Sequence, residues 1–84
     1  MILPTKVKYL TEYKAEVTFN TNETGIIDFS FLFDGRRFYE PLKNKALFRT
    51  IRMSDDGMCI EWANEIDLSP EETYNQFKQQ SKAD

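Results

Sequence analysis

The stretch Trp62-Ala63-Asn64-Glu65-Ile66-Asp67-Leu68-Ser69-Pro70-Glu71-Glu72-Thr73-Tyr74 decides how this chain is read, because a strand ends, the backbone turns and a helix begins within it. Ser69 suits the N-cap, and Pro70 suits the first helical position, where its missing N–H costs nothing. Glu72 stands at the third position, within reach of the Ser69 amide. The helix is predicted from Pro70 to about Gln80, with Tyr74 and Phe77 on one face and Glu71, Asn75, Lys78 and Gln79 on polar ones.

Upstream of this stretch, Ser54-Asp55-Asp56-Gly57 is a hairpin signal between Thr50–Met53 and Met58–Trp62. Alternation in the second arm puts Met58, Ile60 and Trp62 on one face. Near the N-terminus Thr5, Val7 and Tyr9 alternate with Lys6 and Lys8, and Tyr13, Ala15, Val17 and Phe19 alternate with Lys14, Glu16 and Thr18. The polar run Asn20–Glu23 then turns the chain into a third strand, 25–29, so the first three strands form an antiparallel meander. Ser30–Asp34 reads as one helical turn capped by Asp28 or Ser30 and ended by Gly35. Tyr39-Glu40-Pro41-Leu42 reads as extended or turning, because proline disfavours helical geometry in its predecessor. Lys45–Phe48 reads as a second short helical turn with Leu47 and Phe48 inward. The expected fold is α+β: an antiparallel sheet of about five strands, meander plus hairpin, with short helical turns and one C-terminal helix. Residues 1–80 form a single domain and 81–84 a loose tail.

With 84 residues, a deep active-site cavity is not expected. Histidine is absent, which excludes serine–histidine and cysteine–histidine catalysis and removes the commonest metal ligand. The lone Cys59 makes no internal disulfide, and neither a signal peptide nor a long apolar run is evident, so a cytoplasmic protein is expected. Asn22-Glu23-Thr24 fits a glycosylation acceptor but is simply a turn in that compartment.

The remaining polar residues each have a structural reading. Asp55 and Asp56 with Glu61 are too few oxygen ligands for a calcium loop, and a turn accounts for them. Glu61 and Asp67 could form a glycosidase-like carboxylate pair, but Asp67 also suits the start of the final helix. Cys59 reads as a buried small hydrophobe, Trp62 as core and Asn64 as a turn residue. No cofactor or metal is expected, and no enzyme.

The net charge of −3 is unevenly spread. Arg36, Arg37, Lys43, Lys45, Arg49 and Arg52 stand against Glu40 alone between positions 36 and 52, whereas acids dominate from Asp55 onward. These six cations are the expected partner-binding residues, for an acidic protein or a second copy. Their interleaving with Phe38, Tyr39 and Phe48 gives nucleic acid as the alternative partner, which the sequence pI near 4.9 disfavours.

Tyr39-Glu40-Pro41-Leu42, Leu47-Phe48, Ile60-Glu61-Trp62, Asn64, Asp67-Leu68, Pro70 and Tyr74 together resemble a small bacterial family, domain of unknown function family 2442. The family's usual proline after the tryptophan is Ala63 here, and its frequent glycine after the asparagine is Glu65. The resemblance implies an α+β domain with a small antiparallel sheet and no established catalytic role. Some members carry a C-terminal helix-turn-helix and look like transcription regulators; others stand alone, encoded beside a small toxin-like protein. An 84-residue chain leaves no room for that extension, so the expected role is an accessory or antitoxin-like interaction module.

Overall fold

Side-chain alternation over the first 28 residues builds the meander in the computed structural model, which describes residues 1–82. Strands β1 (Pro4–Thr11), β2 (Lys14–Phe19) and β3 (Thr24–Asp28) pair antiparallel in that order. Lys8 lies opposite Glu16 and Glu16 opposite Ile26, so these three share the outer face. Ala15, Val17, Phe19 and Ile27 point inward and are buried. The β1–β2 and β2–β3 turns use left-handed Glu12 (φ 51°) and Asn22 (φ 73°).

A 3₁₀ turn, Phe29–Phe33, follows; the Asp28 carboxylate accepts the Ser30 N–H at 3.0 Å, and left-handed Gly35 (φ 84°) lies just beyond. Its Phe29 and Leu32 are buried, and Phe31 and Phe33 are half-buried against the same core.

The segment around Pro41 is more regular than its sequence suggests. Of the two alternatives, extended or turning, the chain takes the turning one, as a second 3₁₀ segment, Arg37–Lys43, that is longer than the stretch read from sequence and has Pro41 inside it. A 3₁₀ turn pairs residues three apart, and proline removes only its own donor. Tyr39 N–H still donates to the Arg36 carbonyl (3.1 Å) and Asn44 N–H to that of Pro41 (3.2 Å), while Leu42 is anchored in the core. Helix α1 (Lys45–Phe48) starts where the Asn44 side chain accepts from Ala46 N–H at 2.9 Å, and it buries Phe48.

The strand count also differs. In place of one sheet of about five strands there are two three-stranded sheets, the second made of β4 (Arg52–Met53), β5 (Ile60–Trp62) and β6 (Ile66–Leu68). Strand β6 lies within the stretch 62–74 that reads, in sequence, as a turn before the helix. Asn64 (φ 70°) and Glu65 (φ 60°) are both left-handed and fold Ile66 back opposite Trp62, so Ile66 and Leu68 are buried while Asp67 faces out. The Asp-Gly hairpin is present but its strands are short. Met58 lies outside β5 and is 44% exposed, so it does not share the inward face of Ile60 and Trp62.

Helix α2 spans Pro70–Ser81, reaching the first residue of the expected tail; positions 83 and 84 lie outside the described residues. Ser69 Oγ accepts the Glu72 N–H at 3.1 Å, and buried Thr73 donates its hydroxyl to the Ser69 carbonyl at 2.8 Å. The Glu72 carboxylate reaches Arg36 Nη1 at 2.5 Å. Ser69→Ala is expected to cost about 0.5–2 kcal/mol, read as a lower denaturation midpoint; equal midpoints would show that the cap contributes nothing.

One outer strand of each sheet, β3 and β6, is clasped by a side chain. Gln80 accepts from the Asp28 N–H at 2.8 Å and donates to its carbonyl at 3.0 Å, and the Tyr39 hydroxyl donates to the Asp67 carbonyl at 2.9 Å. Such clasps occupy backbone groups that another strand would otherwise pair with.

Candidate functional site

The six cations between positions 36 and 52 are dispersed by the fold, and four of them are matched to acids. Arg36 pairs with Glu72 of α2, Lys43 with Glu40 at 3.0 Å, Lys45 with Glu12 of the β1–β2 turn at 2.6 Å, and Arg52 with Glu61 of β5 at 2.8 Å. The Lys45 contact holds the Glu12 carboxyl below its usual range and raises the ammonium of Lys45 above its own. Arg49 lies over the Tyr9 ring, 5.7 Å from its centroid. Arg37 has no acid within 4.0 Å among the described residues.

Although neighbours in sequence, Arg36 and Arg37 border different clefts. Arg36 faces the start of α2 with Ser69, Glu71, Glu72 and Asn75. Arg37 lines a groove of about 550 Å³ with Phe33, Gly35, Glu40 and Lys43. Beside Arg37, Phe38 is 55% exposed and meets Tyr39 edge-on at 4.9 Å. The exposure of Phe38 could not be read from sequence, because a phenylalanine in a short apolar segment normally turns inward.

A third cleft, of about 460 Å³, lies between the N-terminal residues Met1 and Ile2 and the α2 residues Pro70, Glu71, Tyr74 and Asn75. It is invisible in the sequence, because it joins the two ends of the chain. Near it, Glu23 accepts from the hydroxyls of Thr21 (2.7 Å) and Tyr74 (2.8 Å) and from Lys78 Nζ (3.0 Å). These donors, Thr21 foremost, hold the Glu23 carboxyl down to about 2. The network ties the β2–β3 turn to α2, a structural role.

Glu61 and Asp67 are brought together as cross-strand partners on the outer face of the second sheet, where Arg52 binds Glu61. Asp56 is engaged by its turn: its carboxylate accepts the Ser54 hydroxyl at 2.5 Å and the Met58 N–H at 3.0 Å. Cys59 is half-buried, more open than the sequence reading has it. Trp62 is core at 1% exposure, and Asn64 is an exposed turn residue. Among the described residues no three Cys, Asp or Glu side chains converge on a possible metal position, and no helix is long and apolar enough to cross a membrane.

These features define a small α+β domain of two antiparallel sheets whose distinctive groups are surface charges and surface clefts. The chain belongs to the protein family of unknown function DUF2442, whose model matches residues 4–79. No curated protein matches it. Its fold is similar to the crystal structure of a putative DNA binding protein from Nitrosomonas europaea ATCC 19718, with a TM-score of 0.81 at 20% identity. The likeness covers 96% of this chain and 52% of that one, so the chain spans about half the length of that protein.

Proposed function

We propose that this domain is a non-catalytic protein-interaction module of regulatory character, acting in the cytoplasm as an antitoxin-like partner of a small toxin-like protein. The observation that carries the reading is the pair Arg37 and Phe38: a cation with no acid within 4.0 Å among the described residues, lining a groove, followed in the chain by a half-exposed aromatic ring. Arginine and large aromatic side chains concentrate at the centres of protein interfaces, where they contribute most of the binding free energy. Ion pairing removes Arg36, Lys43, Lys45 and Arg52 from the first rank of contacts.

A second reading, a nucleic-acid-binding accessory using Arg36 to Arg52, is favoured by the fold likeness to half of a protein described as a putative DNA binding protein. The two readings separate in one experiment. Cellular partners are isolated with wild-type bait and with Arg37→Glu/Phe38→Ala bait, and the purified protein is titrated with duplex and single-stranded nucleic acid at low salt. A protein partner lost with the double variant supports the module. Micromolar nucleic-acid binding that falls with salt, with no such partner, replaces it by the accessory.

A further inference from the structure

Once ion pairs within 4.0 Å are set aside, the exposed charges that remain on the two sheets differ in sign. On the outer face of the first sheet, Lys6 and Lys8 of β1 and Lys14 of β2 have no acid partner at that distance. Glu16 is the sole exposed acid on these two strands, opposite Lys8 in register. In the same row stands Ile26 of β3, 57% exposed. These residues are exposed, with Ile26 on the outer strand next to Glu16, Lys14 diagonal to it on β2 and Lys8 beyond Glu16 on β1.

The second sheet carries the opposite sign. Its exposed and unpaired charges are Asp55 and Asp56 at the β4–β5 hairpin tip, Glu65 in the β5–β6 turn and Asp67 on β6. Its one cation on these strands, Arg52, is occupied by Glu61. Beside the two hairpin aspartates lies Met58, 44% exposed. The tip therefore carries a flexible apolar side chain after two carboxylates, complementary to a face that carries an exposed isoleucine and three lysines against one glutamate.

We infer that the outer face of the first sheet binds the β4–β5 hairpin tip of a second copy of this chain. In that contact Met58 packs on Ile26, and Asp55 and Asp56 meet Lys8 and Lys14. The occupant is a second copy because both halves of the match, in sign and in apolar content, are present on one molecule. A chain of net charge −3 repels its own kind at long range, but that field is screened beyond about 8–10 Å near physiological salt, leaving the local match to act. The contact is independent of the Arg37–Phe38 groove, so either can fail without the other.

Two charge-reversed proteins test it: Lys6→Glu/Lys8→Glu/Lys14→Glu and Asp55→Lys/Asp56→Lys. All five residues are exposed, and thermal unfolding of each variant checks that it folds. Association is followed by sedimentation velocity over a concentration series. The wild type is expected to self-associate at about 0.1 M salt and to dissociate at about 1 M. Each variant alone is expected to weaken association on the order of tenfold or more, since one sets acid against acid and the other base against base. Their mixture is expected to recover it, because each then offers the other an oppositely charged surface. A wild type that stays monomeric throughout would overturn the inference. So would association that both variants retain, or a mixture as monomeric as its components.

Discussion

Trp62→Ala is expected to destabilise the domain by about 3–5 kcal/mol, because it empties the site of the largest fully buried side chain. The indole is 1% exposed and lies against Phe29 edge-on at 5.9 Å and against Phe48 at 5.8 Å, so it joins the first 3₁₀ turn, α1 and the second sheet in one cluster. Its Nε1 is buried without a hydrogen-bond partner, and a buried unpaired donor costs about 1–3 kcal/mol. Trp62→Phe deletes that donor together with part of the ring, and is therefore expected to cost clearly less than Trp62→Ala. Chemical denaturation of the three proteins measures both differences, and a phenylalanine variant as unstable as the alanine one would contradict the argument. As the single tryptophan, Trp62 also reports on itself: native emission should be blue-shifted and poorly quenched.

Gly25→Ala is expected to destabilise by about 1–3 kcal/mol, against the usual gain from replacing a strand glycine. A Cβ built on Gly25 would lie 2.6 Å from Phe77 Cε1, inside contact distance. Phe77 is 7% exposed and packed against Phe19 at 5.0 Å, so the ring has little room to retreat and α2 must lift from β3. Thermal unfolding of Gly25→Ala, Phe77→Leu and the double variant forms a cycle in which the double should be more stable than the sum of the singles implies. Strict additivity would show that the clash is relieved elsewhere.

Much of the fold is legible in local pattern. Period-two alternation locates β1, β2 and β3, because each of these strands has one face on the core and one in water. Ser69 and Pro70 locate the start of α2, because capping is settled within a few residues of chain. Strand β6 is not legible: three residues between a turn and a cap are too few to display a period, and pairing with β5 makes them a strand. The 3₁₀ geometry around Pro41 is likewise decided by the burial of Leu42, which outweighs the local preference of the residue before proline.

For the surface the balance reverses. By itself the sequence determined the α+β class, the exclusion of histidine-dependent catalysis, the helix start at Ser69–Pro70 and the uneven placement of charge along the chain. Only the tertiary structure decided which charges are free, since Arg36 meets Glu72, Lys45 meets Glu12 and Arg52 meets Glu61 across 36, 33 and 9 positions of chain. The physical reason is range. Caps and side-chain alternation act between residues a few bonds apart, whereas Coulomb pairing and packing act between any groups that the fold brings within a few ångströms, whatever their separation in sequence.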